Sequence, residues 1–369
     1  MDLTYSEEQR LLRESANAMF LARAQKAGAE DIWKEMADLG WLALPLPEAD
    51  GGLGQNIVDV AIVTEAMGRH RIRNNYVAGV VMCGGLVAAL GSDAQRAALL
   101  PGLADGSLRL ALAHAEAGAR YNLAQVASKA VKTPAGWKLD GAKIAVLGGD
   151  VADRFIVSAR ISGGVRDSGG IGLFVVARDT KGLDVEPHAT VDGAGAARLT
   201  LSGVELGADA LLSDNALSEI ERACDRATAA FCSEFVGLME AARDATVDYT
   251  KIRIQFGRPL AANQTLRHRM ADMAIACEEA RSMALRAALH AEDADLVSRG
   301  RAVSGAWVRV SRAARFVSEQ AIQLHGGMGV TNELEIGFYL KRVIALDAIV
   351  GGPDHHLRRH AALTSQQAA

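Results

Sequence analysis

Between Glu219 and Arg253 the chain runs for roughly ten helical turns without a proline or a Gly-Gly pair. The stretch is rich in alanine, the residue that loses least on entering a helix. A rod of that length is stable in water only if one face is buried along partners. Two further segments, Leu266–His290 and Leu296–Leu324, supply those partners. The short connections between them predict an antiparallel four-helix bundle.

Upstream the period changes. Trp137–Gly141 reads as a strand entering a turn, Phe155–Ser158 and Gly172–Val176 are short β-rich runs, and Arg198–Val204 alternates apolar and polar residues. Strands at this spacing, separated by Gly- and Asp-containing turns, predict a small β-barrel or sandwich. The first third is helical. Ser6-Glu7-Glu8-Gln9 is a capping-box start, in which the Ser hydroxyl and the Gln side chain satisfy each other's free backbone donors. A second helix is expected over Asp31–Leu39 with Gly40 as its C-terminal cap. Further helices are expected over Val58–Met67 and Asp93–Leu100, the last closed by Pro101. The expected fold class is α+β in three parts: an N-terminal helical domain over 1–108, a middle β domain over 109–213 and the C-terminal helical bundle over 214–369.

Composition removes several function classes. With 369 residues the chain exceeds one ordinary core. Its 40 Lys and Arg against 44 Asp and Glu, with 5% aromatic residues, argue against a dedicated nucleic-acid binder. The cysteines Cys83, Cys224, Cys232 and Cys277 form no CxxC pair and read as buried thiols of a reducing compartment. The start is acidic, without the basic-then-apolar plan of a secretion signal. The richest apolar stretch, Val77–Leu90, is short and interrupted by glycines, so no membrane span is expected. The expected location is the cytoplasm.

Two motifs could meet a ligand. Gln323-Leu324-His325-Gly326-Gly327-Met328-Gly329 lets backbone approach a ligand closely, or is a plain helix cap. Arg253-Ile254-Gln255-Phe256-Gly257-Arg258-Pro259 offers a guanidinium for a phosphate and a ring for a flat partner, or simply ends the long helix favourably. His356 and His360 are four apart, but Arg358 and Arg359 oppose a cation, so no metal site is expected. A helix start with Asp354 near its cap is the reading there.

The ordered set of motifs resembles the acyl-CoA dehydrogenase family over essentially the whole chain. It comprises Trp33 through Trp41, Leu46-Pro47-Glu48 through Gly54, Glu65 with Met67-Gly68-Arg69, Trp137 through Gly141, Ala152-Asp153 into Val157, Arg253 through Gly257, and Gln323 through Gly329. The resemblance implies FAD as cofactor, α,β-desaturation of an acyl-CoA thioester, and electron-transfer flavoprotein as redox partner. It implies that Arg253 contacts the FAD pyrophosphate, that Phe256 packs nearby and that Gln264 hydrogen-bonds the cofactor. Gln323, Gly326 and Gly327 would approach its adenosine end. In the family these groups serve FAD held mainly by a neighbouring subunit.

Other positions depart from the family pattern. Where the family carries its Glu base this chain has Gly351, in Ile349-Val350-Gly351-Gly352-Pro353. The second family position for the base falls on Ala227. The flavin-facing Thr-Glu-Pro-x-Ala-Gly-Ser stretch is Ala113-His114-Ala115-Glu116-Ala117-Gly118-Ala119, followed by Arg120. Groups serving a neighbour's FAD are kept; groups serving the chain's own chemistry are not. The chain thus resembles the small, Glu-lacking subunit of heteromeric bacterial acyl-CoA dehydrogenases, such as the pimeloyl-CoA dehydrogenase small subunit. That implies a homologous Glu-bearing partner in a heterotetramer. The alternatives are a self-sufficient homotetrameric enzyme with a displaced base, Asp354 or Glu234; a flavin monooxygenase using His355 or His356; and a scaffold without flavin.

Overall fold

The computed structural model describes residues 4–24, 32–331 and 333–368. Helices α1 (Glu7–Ala24), α2 (Ile32–Asp38), α3 (Ile57–His70), α4 (Gly85–Leu90) and α5 (Asp93–Ala104) come first. Strands β1 (Leu110–Ala113), β2 (Lys129–Thr133), β3 (Gly136–Leu147), β4 (Arg154–Arg160), β5 (Ile171–Ala177), β6 (Leu183–Ala189), β7 (Gly195–Gly207) and β8 (Leu211–Ser213) follow. Then come α6 (Leu217–Ile252), a short hairpin β9 (Ile254–Gln255) and β10 (Arg258–Pro259), α7 (Gln264–His290), α8 (Leu296–His325), α9 (Ile336–Val350) and α10 (Pro353–Ala368).

The capping box at α1 forms in both directions: Gln9 N–H donates to Ser6 Oγ at 3.1 Å and Ser6 N–H to Gln9 Oε1 at 3.2 Å. Gly40 follows α2 with φ +73°. Asp31, the expected start of that helix, lies outside the described residues. Pro101 does not close its helix. It sits inside α5, which runs another turn until Asp105 N–H donates to the Pro101 carbonyl at 3.0 Å. A proline removes its own donor only, and the carbonyl remains available. The apolar stretch after Asn75 is π-helical over Tyr76–Gly84 before α4 begins, a wider winding rare outside functional or crowded segments.

Described residues gather into two compact units. One draws on the stretches 4–24, 57–73 and 228–368, the other on 32–56 and 74–227, so α6 contributes to both. The second unit carries one eight-stranded sheet in the order β6-β7-β3-β2-β4-β5-β8, with β1 parallel to β4. Strand alternation places Leu139, Val157, Phe174 and Leu199 in a fully buried core. Each such side chain contributes about 1.5–3 kcal/mol, and Trp137 meets Phe174 edge-on at 5.3 Å. Gly141 is no turn. β3 continues through it, with a register shift against β7 between Leu139 and Gly141, as a β-bulge produces.

In the first unit α3 crosses α6 at backbone contact. A Cβ on Gly68 would stand 1.9 Å from the Glu234 carbonyl oxygen, and one on Gly237 1.9 Å from that of Glu65. Two glycines thus set the spacing, because any side chain would push the helices apart. Thr64 Oγ1 donates to the Ala230 carbonyl at the same crossing, at 2.9 Å.

Candidate functional site

α6 ends at Ile252 and the chain turns sharply. Arg253 N–H closes on the Tyr249 carbonyl at 2.9 Å, and the Arg253 carbonyl accepts from Leu260 N–H at 2.9 Å. Between them Ile254 pairs with Pro259 and Gln255 with Arg258. Phe256 and Gly257 form the two-residue tip at φ +53° and +76°. That is the backbone of a type I′ turn, which favours Asn or Gly and strains Phe. Phe256 is nevertheless 96% exposed, with Ile252 and Ile254 also exposed beside it. Gln264 opens α7 and is exposed.

α8 ends at His325, and Gly326 takes φ +62°. A Cβ on Gly326 or Gly327 would meet nothing within 4 Å, so a ligand can reach the backbone there directly. His325 is buried, stacks on Tyr249 at 4.3 Å and 25°, and bonds the Ala321 carbonyl through Nδ1 at 2.8 Å. Burial lowers its pKa, so it packs as a neutral ring. Tyr249 lies one turn before Arg253, so this stack joins the α6 elbow to the glycine turn. Neither residue belonged to the sequence-predicted set, although His325 stands inside the Gln323–Gly329 motif. Arg253, Gln264 and Gln323 are all exposed, and none makes a side-chain hydrogen bond or ion pair among the described residues.

Gly351 is in a different state. It is buried at the end of α9 with φ +104° and ψ +123°, a conformation that side chains rarely adopt. Trp307 Nε1 donates to its carbonyl at 2.7 Å, and Trp307 stacks on Phe235 at 5.2 Å. His356 reaches Ser304 Oγ through Nδ1 at 3.2 Å and the Val350 carbonyl through Nε2 at 3.3 Å. Burial, and then neighbouring His355, push its pKa down to about 3. With both ring nitrogens engaged, His356 has none left for a metal or a proton shuttle. Among the described residues no group of three or more His, Cys, Asp and Glu side chains is placed to hold a metal ion.

The carboxylates around this turn divide. Asp354 is exposed in the first turn of α10. Glu234 is buried and held on both oxygens by Arg342, at 2.6 and 3.1 Å, which leaves it no role as a base. Asp347, one turn before Gly351, accepts from Ser311 Oγ at 2.6 Å, and burial raises its pKa. Sequence spacing gave no reason to single it out. A cleft of about 320 Å³ elsewhere in this unit holds Glu65, Glu240 and Arg281. Its charges pair with one another, Arg281 to Glu65 at 2.9 Å and to Glu240 at 2.6 Å.

Helices, an eight-stranded β layer and a second set of helices, with an exposed elbow after the longest one, define a three-part α+β class. Three family profiles match in that order. They are acyl-CoA dehydrogenase N-terminal domain over residues 6–107, middle domain over 111–204 and C-terminal domain over 220–364. The chain belongs to the acyl-CoA dehydrogenase family. Acyl-CoA dehydrogenase FadE12 of Mycobacterium tuberculosis is 29% identical over 342 residues, covering 89% of this chain and 88% of that protein. A solved variant of the Tcur3481-Tcur3483 steroid ACAD is 30% identical, with a TM-score of 0.85 over 98% of this chain and 99% of that one. The FAD complex of PigA shares the fold at TM-score 0.89 and 23% identity, over the whole of both chains. No helix among the described residues is long and apolar enough to cross a membrane.

Proposed function

We propose that this chain is the supporting subunit of a heteromeric, FAD-dependent acyl-CoA dehydrogenase, and that a homologous partner carries the catalytic Glu. The observation that carries the reading is the contrast between two turns. At the elbow and the end of α8, Arg253, Gln264 and Gln323 are exposed with no side-chain partner among the described residues, whereas the Gly351 turn is buried and offers no side chain where the resemblance places the base.

The residues fit a flavin dinucleotide. Arg253 offers a free guanidinium for the pyrophosphate, the group that geometry suits best. Gln264 and Gln323 offer amides with no other partner among the described residues, and Gly326 and Gly327 leave their backbone uncovered. Exposed Phe256 offers a face to a flat ring or to the partner subunit. When bound, FAD supplies the hydride acceptor for oxidising an acyl thioester. This chain's part is to complete the dinucleotide's binding edge at the elbow and the Gly326 turn; the α proton is taken by the partner. Two similarities support the reading: the steroid ACAD that resembles this chain bears a two-component name, and PigA, of the same fold, binds FAD. Electron-transfer flavoprotein is the redox partner that this reading implies.

The experiment compares the chain alone with the chain co-expressed with an adjacent-gene homologue. Anaerobic addition of an acyl-CoA panel should bleach the flavin band of the pair and leave the single chain unchanged. Bleaching of the single chain would overturn the proposal. It would favour a self-sufficient enzyme, for which Asp347, with its raised pKa, is the base to test as Asp347→Asn.

A further inference from the structure

The β unit contains a closed chain of polar contacts that serves the loop after β1. Lys143, on β3, is fully buried, and each of its three N–H donors has a place. Its Nζ lies 2.6 Å from Glu116 Oε1, 3.0 Å from Ser158 Oγ and 3.5 Å from the His114 carbonyl. Glu116 is filled in turn. Oε1 also accepts from Ser128 N–H at 3.0 Å and Ser128 Oγ at 2.6 Å, and Oε2 accepts from Ala127 N–H at 2.6 Å.

The other branch runs through Ser158, whose Oγ accepts from Lys143. A neutral His114 has one ring N–H, and its bond to the Leu123 backbone uses it, which leaves Nδ1 to accept the Ser158 hydroxyl proton at 2.9 Å. Burial, and then the Lys143 charge, push the His114 pKa down to about 3, in keeping with that neutral tautomer. One buried ammonium thus fixes the loop at two separated points, Leu123 on one branch and Ala127–Ser128 on the other. Between Glu116 and Leu123 the backbone takes left-handed turns at Gly118 and Arg120, φ +81° and +51°.

We propose that Lys143, Glu116, Ser158 and His114 act as one unit that anchors the 113–128 loop from within the β layer, and that Glu116 has no part as a base. The anchoring does not rest on the proposed function, in which this chain keeps no flavin of its own. A buried pair of opposite charges is replaceable as a pair but not singly.

The test uses the co-expressed complex with Lys143→Met and Glu116→Gln combined, which removes both charges while keeping side-chain volume. The amides of residues 117–128 should then exchange with deuterium about tenfold faster or more, the ratio expected when a local anchor is released. Glu116→Asp, which keeps the charge but shortens its reach, should be intermediate. Ser158→Ala, which alters no charge, should speed exchange near Leu123 alone, and it decides the matter if the double variant does not fold. Wild-type exchange across 117–128 overturns the anchoring. A colourless wild-type complex defeats the proposed function separately, and the exchange data still decide whether the relay holds the loop.

Discussion

Two turns of the helical unit end long helices and have been put to opposite use. At the α6 elbow and the end of α8, Arg253, Gln264 and Gln323 have no side-chain partner among the described residues, and Phe256 projects from a strained tip. At the α9–α10 turn the polar groups are occupied, with the Gly351 carbonyl on Trp307 and His356 bonded on both sides. A strained, exposed tip is the kind of backbone outlier that clusters at binding surfaces. A buried, satisfied turn marks a structural joint. On the proposed function, the difference separates a binding edge that is kept from a base position that has become part of the packing.

The comparison can be broken most severely at Gly351. Gly351→Glu places a carboxylate at a buried residue with φ +104°. An unpaired buried charge and a disfavoured backbone together cost about 3 kcal/mol or more. The urea midpoint should fall, and the variant alone should still fail to oxidise acyl-CoA. Recovered activity with unchanged stability would show that the turn is not locked. At the elbow, Arg253→Ala should leave stability alone but weaken FAD retention by about 1.5–3 kcal/mol, the range for a charge-assisted hydrogen bond. The flavin-to-protein absorbance ratio after gel filtration of the complex reads this out.

A pH dependence sharpens the occupied side. His114 and His356 both have folded pKa values of about 3, against 6.5 for an ordinary histidine. Below pH 6.5 the unfolded chain therefore binds protons that the fold refuses. Their contribution to stability is complete above 6.5 and is lost as pH falls toward 3. The slope is about 1.4 kcal/mol per pH unit for each histidine. Urea midpoints at pH 7.5, 6.0 and 5.0 should decline accordingly, and a flat profile would contradict the buried neutral assignment. The smallest effect belongs to the tip. Phe256→Asn relieves the positive φ and should stabilise the isolated chain by roughly 0.5–1 kcal/mol. The same change should weaken the complex, so the two measurements move in opposite directions.

Much of the fold was legible because periodicity is local. The bundle segments, the β-rich centre and the Ser6–Gln9 capping box all follow from spacing and side-chain chemistry within a few residues. Pro101 and Gly141 were misread for a shared reason. Proline and glycine end elements only when nothing beyond them pairs, and here the next turn of α5 and the β7 register continue. At the site, Arg253, Gln323 and Gly326 stood out as motifs. Tyr249, Asp347 and Lys143 did not, since their roles come from partners 76, 36 and 27 residues away. No spacing rule reaches that far along a chain.

The central claim is that this subunit lends an edge to flavin held elsewhere and keeps none of its own. Counting FAD in the purified complex tests it most directly, by releasing the flavin with denaturant and dividing by the quantified amount of each chain. About one flavin per pair of unlike chains is the result expected of a supporting subunit. One flavin for every chain, or a full complement on this chain purified alone, would contradict the account.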